Sequence, residues 1–184
     1  MTHDLSLGEL QALCIKAARG AGRAVGVAED AGRAVRWLQA RDQDGAGALV
    51  ALLQDTDGRA TRDLAPQVPD LTPVGGVICP LALGGYLSDM GDLPEGAMGP
   101  VCAPLLLLPF LADISPHGVD LVPGAAPGVV SVSARAQAMP AEETRAHVSD
   151  DVMEALLAFA ARTYAPATEQ SRASGAGAGL SDND

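Results

Sequence analysis

The apolar residues of this chain are mostly small, and that constrains its fold more than anything else in the sequence. Alanine occurs 34 times, leucine 23 and valine 15, against three isoleucines and five aromatics: Trp37, Tyr86, Phe110, Phe159 and Tyr164. Small side chains bury little area each, so the core has to be built from close backbone approach and leucine contacts. With 48% hydrophobic residues among 184, the chain falls in the globular range. That length suits one domain, or one domain with a tail.

Charge narrows the partners. Twelve basic residues stand against 23 acidic ones, a net charge of −11. Nucleic acids are bound chiefly by neutralising phosphates, and no basic patch is visible; aromatics are too sparse for a base-stacking surface. Anionic membranes would repel such a chain, and the longest apolar stretch, Pro100 to Ala112, is short and cut by Pro104 and Pro109. No nucleic-acid and no membrane partner is expected. Residues 1–20 lack the pattern of a secretory signal. Cys14, Cys79 and Cys102 are odd in number and widely spaced, which reads neither as a disulfide framework nor as a zinc site. A cytoplasmic setting is expected.

Local patterns divide the chain. Ser6-Leu7-Gly8-Glu9 matches a capping box, and Leu10, Leu13, Cys14, Ala17 and Ala21 follow at helical spacing, with Gly20 and Gly22 ending the helix. A second helix is predicted over Val27 to Ala40, with Ala28, Ala31, Ala34, Val35 and Leu38 on one face, and a third over Gly45 to Gln54. Asp55 to Pro73 reads as a loop or linker. Val74 to Ile78, Val101 to Leu108, Val119 to Val122 and Val129 to Ala134 are strand candidates between Gly/Pro clusters; Leu81 to Met90 stays ambiguous because of Gly84-Gly85. Ser149 to Tyr164 is the clearest helix, and Pro166 stops it. Helices at both ends with a small sheet of short strands between them predict an α+β fold, one domain over residues 1–166 with a Gly/Ala-rich tail at 167–184.

Few residues advertise chemistry. Gly20-Ala-Gly22-Arg-Ala-Val-Gly26 superficially resembles a phosphate loop, but it follows a helix and lacks the Gly-Lys-Ser/Thr ending, so it reads as a helix–helix turn. Lys16, the lone lysine, falls at the border of the first helix's apolar face, where partial burial would let it act as an acid/base group or where it simply snorkels. Glu29 stands four residues before Arg33, an arrangement that suits a solvent-facing pair or a proton acceptor. Trp37 lies off the apolar stripe and needs cover, from the strand region or from another subunit. The three histidines are scattered and no metal site is expected. The tail, Gly175-Ala-Gly-Ala-Gly179 with Asp182 and Asp184, reads either as a solvated end or as a backbone cradle in which Arg172 clamps a carboxylate and the two acids hold a cation.

Three separated segments carry a resemblance. Ser6-Leu-Gly-Glu with Lys16-Ala-Ala-Arg-Gly-Ala-Gly22, Gly26-Val-Ala-Glu-Asp-Ala-Gly32 and Trp37-Leu38 form the first. Pro104-Leu-Leu-Leu-Leu-Pro-Phe110 is the second, and Tyr164-Ala-Pro with Ser171-Arg172, the glycine run and Asp-Asn-Asp184 is the third. Together they resemble a bacterial family known only as a domain of unknown function. The resemblance implies no activity, and it implies that the tail belongs to the family pattern. Members tend to carry an aromatic just before the position of Gly26, where this chain has Val25.

Two functions are compatible with these residues. One is a protein that binds or acts on a small, polar, carboxylate-bearing metabolite, as an enzyme or enzyme subunit. Lys16 and Glu29 would be catalytic, and Arg19, Arg172, Gly175 and Gly177 would hold the substrate, with the tail folded over the first two helices. The other is a non-catalytic partner in a homo- or hetero-oligomer, docking through Trp37 and the neighbouring helix surface. No cofactor is indicated by either.

Overall fold

The computed structural model describes residues 1–115 and 117–164. Its first strand, β1 (Thr2–Ser6), hands directly to α1 (Leu7–Gly20) through the capping box predicted from the sequence. Ser6 Oγ accepts from the Glu9 amide at 3.2 Å, and Glu9 Oε2 accepts from the Ser6 amide at 2.8 Å. Two of the helix's orphan donors are satisfied in this way. At the other end, Gly22 adopts φ +82°, the Arg23 amide reaches Ala18 O at 3.0 Å and the Gly22 amide reaches Arg19 O at 2.9 Å. That is a Schellman ending, so the glycine-rich stretch is a helix–helix turn into α2 (Val25–Gln39).

α2 closes in the same way, with Asp42 in the left-handed position and the Gln43 amide on Leu38 O. Asp44 then caps α3 (Gly45–Asp55), its Oδ1 accepting from the Gly47 amide at 2.8 Å. The predicted loop at 55–73 is more structured than its composition suggests. It holds a 3₁₀ turn at Thr61–Leu64 and a two-residue hairpin, β2 (Pro66–Gln67) with β3 (Thr72–Pro73). Leu64 is fully buried, and its carbonyl accepts from the Cys79 amide.

Two strand candidates are overturned. Val74 to Ile78 is irregular apart from a single parallel bridge between Ile78 and Val101; Gly75-Gly76 precede it, and Gly76 sits at φ +88°. Val101 to Leu108 is not a strand either. After Val101 the chain enters a 3₁₀ turn at Pro104–Leu107 and then α5 (Leu108–Ile114), each with a proline in its first turn. Proline lacks the donor a strand needs, and its fixed φ suits a helix start. Leu81 to Met90, ambiguous in sequence, is helix α4 (Pro80–Met90), started by Pro80 and closed by Gly91 at φ +74°.

The remaining strands are short. β4 (Ala97–Met98), β6 (Val130–Ala134) and β5 (Val119–Pro123) form an antiparallel sheet in the order β4-β6-β5. β7 (Arg145–Ser149) pairs antiparallel with β1, placing Leu5 opposite Ala146, and runs straight into α6 (Asp150–Ala161). Neither β1 nor β7 is legible as a strand in the sequence. The architecture is α+β, as the order of patterns predicts.

The core follows from the small residues. α1 lies between α2 and α6, and the contacts are made by Ala17, Ala18, Ala28, Ala31 and Ala160 around Leu10, Leu38 and Leu156, all at most 3% exposed. Glycine brings the backbones closer still: a Cβ on Gly20 would lie 1.8 Å from the Phe159 carbonyl oxygen, and one on Gly32 would lie 2.5 Å from Ile15 Cγ1. Among the described residues, no helix is long and apolar enough to cross a membrane.

Candidate functional site

The residues that the sequence puts forward lie on α1, on α2 and outside the described residues. Lys16 and Arg19 are exposed on α1 and Glu29 is exposed on α2. None of them lines the clefts described below. Arg33 pairs with Asp30 rather than with Glu29, because residues three apart also meet on a helix surface. Arg172, Gly175 and Gly177 lie outside the described residues, and so does any closure of the tail over α1 and α2. Trp37 is half-buried, and the Arg41 guanidinium lies over its ring at 3.8 Å from the centroid.

Around that stack the surface opens into a furrow. Three clefts, of about 480, 260 and 690 Å³, follow one another along the side of α2. Trp37 and Asp113 line both the first and the second; Arg41, Arg135 and Met139 line both the second and the third. α2 supplies its wall by helical spacing: Asp30, Arg33, Ala34 and Trp37 recur at three- and four-residue steps, flanking the buried stripe of Ala31, Val35 and Leu38. Arg41 continues the series one turn beyond Trp37, just past the helix end. The opposite wall is α5 with Pro109, Phe110 and Asp113, followed by β5 and the irregular segment 135–144.

That segment crosses the furrow as a strap, tied down at three points. The Arg135 amide donates to Gly118 O at 3.2 Å, Arg41 Nε donates to Met139 O at 3.2 Å, and the Glu143 amide donates to Ala40 O at 3.1 Å. Arg135 is neutralised locally, its Nη1 lying 2.7 Å from Asp120 Oδ1. Arg41 is not. Its Nη1 donates to Trp37 O at 3.1 Å, neither of its two bonds uses Nη2, and among the described residues no carboxylate lies within ion-pair distance. Burial alone pulls its pKa below the ordinary arginine value. A half-buried guanidinium without a counterion is a site prepared for an oxyanion.

Acids border all three clefts: Asp42, Asp120, Glu142 and Glu143 line the third, and Asp113 lines the second. Asp30, Asp89 and Asp113 border the first cleft; Arg33 takes Asp30, while Asp89 and Asp113 have no ion pair among the described residues. Among those residues no group of three His, Cys, Asp or Glu side chains is placed to hold a metal ion.

The thiols offer no nucleophile. Cys14 is buried on α1, and burial pushes its pKa up to about 12. Cys102 rises to about 12 too, first from burial and then from Asp55, whose Oδ2 accepts its S–H at 3.5 Å. A second buried cation, Arg23, lies beside this thiol; it reaches Thr56 O at 3.3 Å and the Thr56 hydroxyl, while its Nε has no partner.

Sequence reasoning marks Trp37 but misses Arg41 and Asp113. Arg41 follows Trp37 by four residues, the same-face step, which is the signal that could have found it.

Residues 5–73 match the model of a family described as a protein of unknown function, DUF3726. The matched span begins in β1 and ends at β3, so it includes Trp37 and Arg41 and agrees with the resemblance to an uncharacterised family. It stops before the proline–leucine segment and the tail. No curated protein and no solved structure matches the chain.

Proposed function

We propose that this chain is a cytoplasmic binding protein for a small molecule that carries a carboxylate on an apolar body. The ligand lies in the furrow beside α2, its carboxylate on Arg41 Nη2 and its apolar part against Trp37 and Met139. The observation that carries this reading is Arg41 itself: a half-buried cation on a cleft wall, positioned by two backbone carbonyls and a stacked ring, with no carboxylate within ion-pair distance among the described residues. Arg19, Arg23, Arg36 and Arg59 also lack an ion pair among the described residues, but Arg41 alone of these five lines one of the three clefts. The cleft sizes suit a ligand of metabolite dimensions. Three free thiols suit a reducing compartment. The reading is one of binding, and no reaction is assigned. Docking of a partner through Trp37 has less behind it, because Arg41 already covers one face of the ring.

Trp37 is the single tryptophan, so its fluorescence reports directly on the furrow. Titration with 4-methylpentanoate is expected to change its emission saturably. The neutral 4-methylpentanamide is expected to bind about ten-fold more weakly, the effect of one charge-assisted hydrogen bond. Arg41→Gln should abolish the difference and Arg41→Lys should keep part of it. Equal responses to acid and amide, or no response to either, would refute the proposal.

A further inference from the structure

Resting on that reading, the geometry points to the class of ligand: we propose that the middle cleft takes an α-amino acid with an apolar side chain, its carboxylate on Arg41 and its ammonium on Asp113. This cleft, about 260 Å³, is lined by both residues. Each lacks a counterion among the described residues, and they do not pair with each other. The other cation on its wall, Arg135, is already held by Asp120. One unpaired positive group and one unpaired negative group therefore border the same small space, Arg41 from the end of α2 and the exposed Asp113 from α5. A simple carboxylate would satisfy Arg41 and bring its charge towards Asp113. A simple amine would do the reverse. A molecule with both charged groups attached to one carbon answers each wall, and charge-assisted bonds of both signs orient it.

The rest of the lining sets the third substituent. Trp37, Ala112, Val119 and Met139 are apolar and border the same space, so the side chain that accompanies the two charges is apolar too. The cleft also opens past Trp37 and Asp113 into the 480 Å³ cleft where Phe110 lies, which leaves room for a branched or aromatic side chain.

The test compares three probes that differ only in their charged groups: L-leucine, 4-methylpentanoate and 3-methylbutylamine. Each is titrated into the full chain, with Trp37 emission and calorimetry as readouts. L-leucine is expected to bind about ten-fold or more tightly than either singly charged probe, the gain of one further charge-assisted contact. Asp113→Asn, at an exposed position, should remove that preference by weakening L-leucine, with 4-methylpentanoate bound as tightly as before or more tightly. If 4-methylpentanoate binds as well as L-leucine, or if Asp113→Asn leaves the preference unchanged, the amino-acid assignment fails and the carboxylate reading survives. Binding of the amine alone, or of none of the three, overturns both.

Discussion

The contact between α1 and α6 can be broken by a single methyl group. Gly20 ends α1 where it meets the last turn of α6, and a Cβ there would stand 1.8 Å from the Phe159 carbonyl oxygen and 2.7 Å from its carbon. Both atoms are backbone, so no rotamer change relieves the clash. Ordinary van der Waals contact begins at 3.4 Å, and the two helices must part by about 1.6 Å along that line. That parting loosens Cys14 and Ala17 against Leu156, Phe159 and Ala160, all of them buried. Overpacking of this kind costs about 1–3 kcal/mol, and a rigid backbone neighbour places Gly20→Ala towards about 3 kcal/mol. At this chain length the melting temperature should fall by about 6–12 °C. Gly8→Ala is the control: it lies in the same helix with nothing within 4 Å, and better helix propensity should make it neutral or stabilising by up to about 1 kcal/mol. Urea unfolding followed by far-ultraviolet circular dichroism compares the two. If Gly20→Ala unfolds at the same urea concentration as Gly8→Ala, the close approach of α1 and α6 is refuted.

Two more outcomes follow from the electrostatics. Asp4 and Asp57 are held below the usual carboxylate range, chiefly by hydrogen bonds from Arg145 and Arg162 respectively, and Glu9 and Asp151 by bonds to Ser6 and Ser149. Because the folded pKa values are depressed, the stability these groups contribute is complete above about pH 4 and is lost as pH falls through the folded values. Urea midpoints should therefore drop on acidification below about pH 4, less steeply in an Asp4→Asn, Asp57→Asn double variant and less steeply in high salt, since all these groups are exposed. An unaltered acid slope in the variant would count against the two ion pairs. With Cys14 and Cys102 at about 12 and Cys79 buried, a thiol reagent at about pH 8 should react slowly with the native protein and with all three cysteines once it is denatured. Fast labelling of any one of them in the native state would contradict the burial described.

Much of the helical part was legible because its signals are local. The Ser6–Glu9 box, the alanine stripe of α2 and the glycines that end α1 each lie within a few residues of what they stabilise. The strands were harder. Val101 to Leu108 has strand-like side chains, but Pro104 and Pro109 decide its backbone, and they decide it for helix. β1 and β7 are short and partly polar, and β1 is exposed over three successive residues, Thr2–Asp4; each becomes a strand only because the other lies beside it. The furrow shows the same limit. Trp37 stood out as a large ring off the apolar stripe, whereas Arg41 and Asp113 gain meaning only when α5 and the 135–144 strap meet the end of α2. Lys16 is conspicuous for its rarity and Glu29 for its charge pattern, and both are exposed on their helices, away from the three clefts.

The pairing of β1 with β7 also sets an order of events during synthesis. Asp4 and Arg145, which clasp across the two strands, are 141 positions apart in the chain. While a ribosome is still making the middle of the protein, α1 can already fold against α2, yet the strand preceding it has nothing to pair with. It waits as a loose ribbon until residues 145–149 clear the exit tunnel, so the last helix and the first strand settle together. Joining such distant partners is slow compared with local helix contacts. A transcript cut short of β7 would yield a helical nucleus with an unclosed seam along α1, a surface that chaperones and proteases recognise.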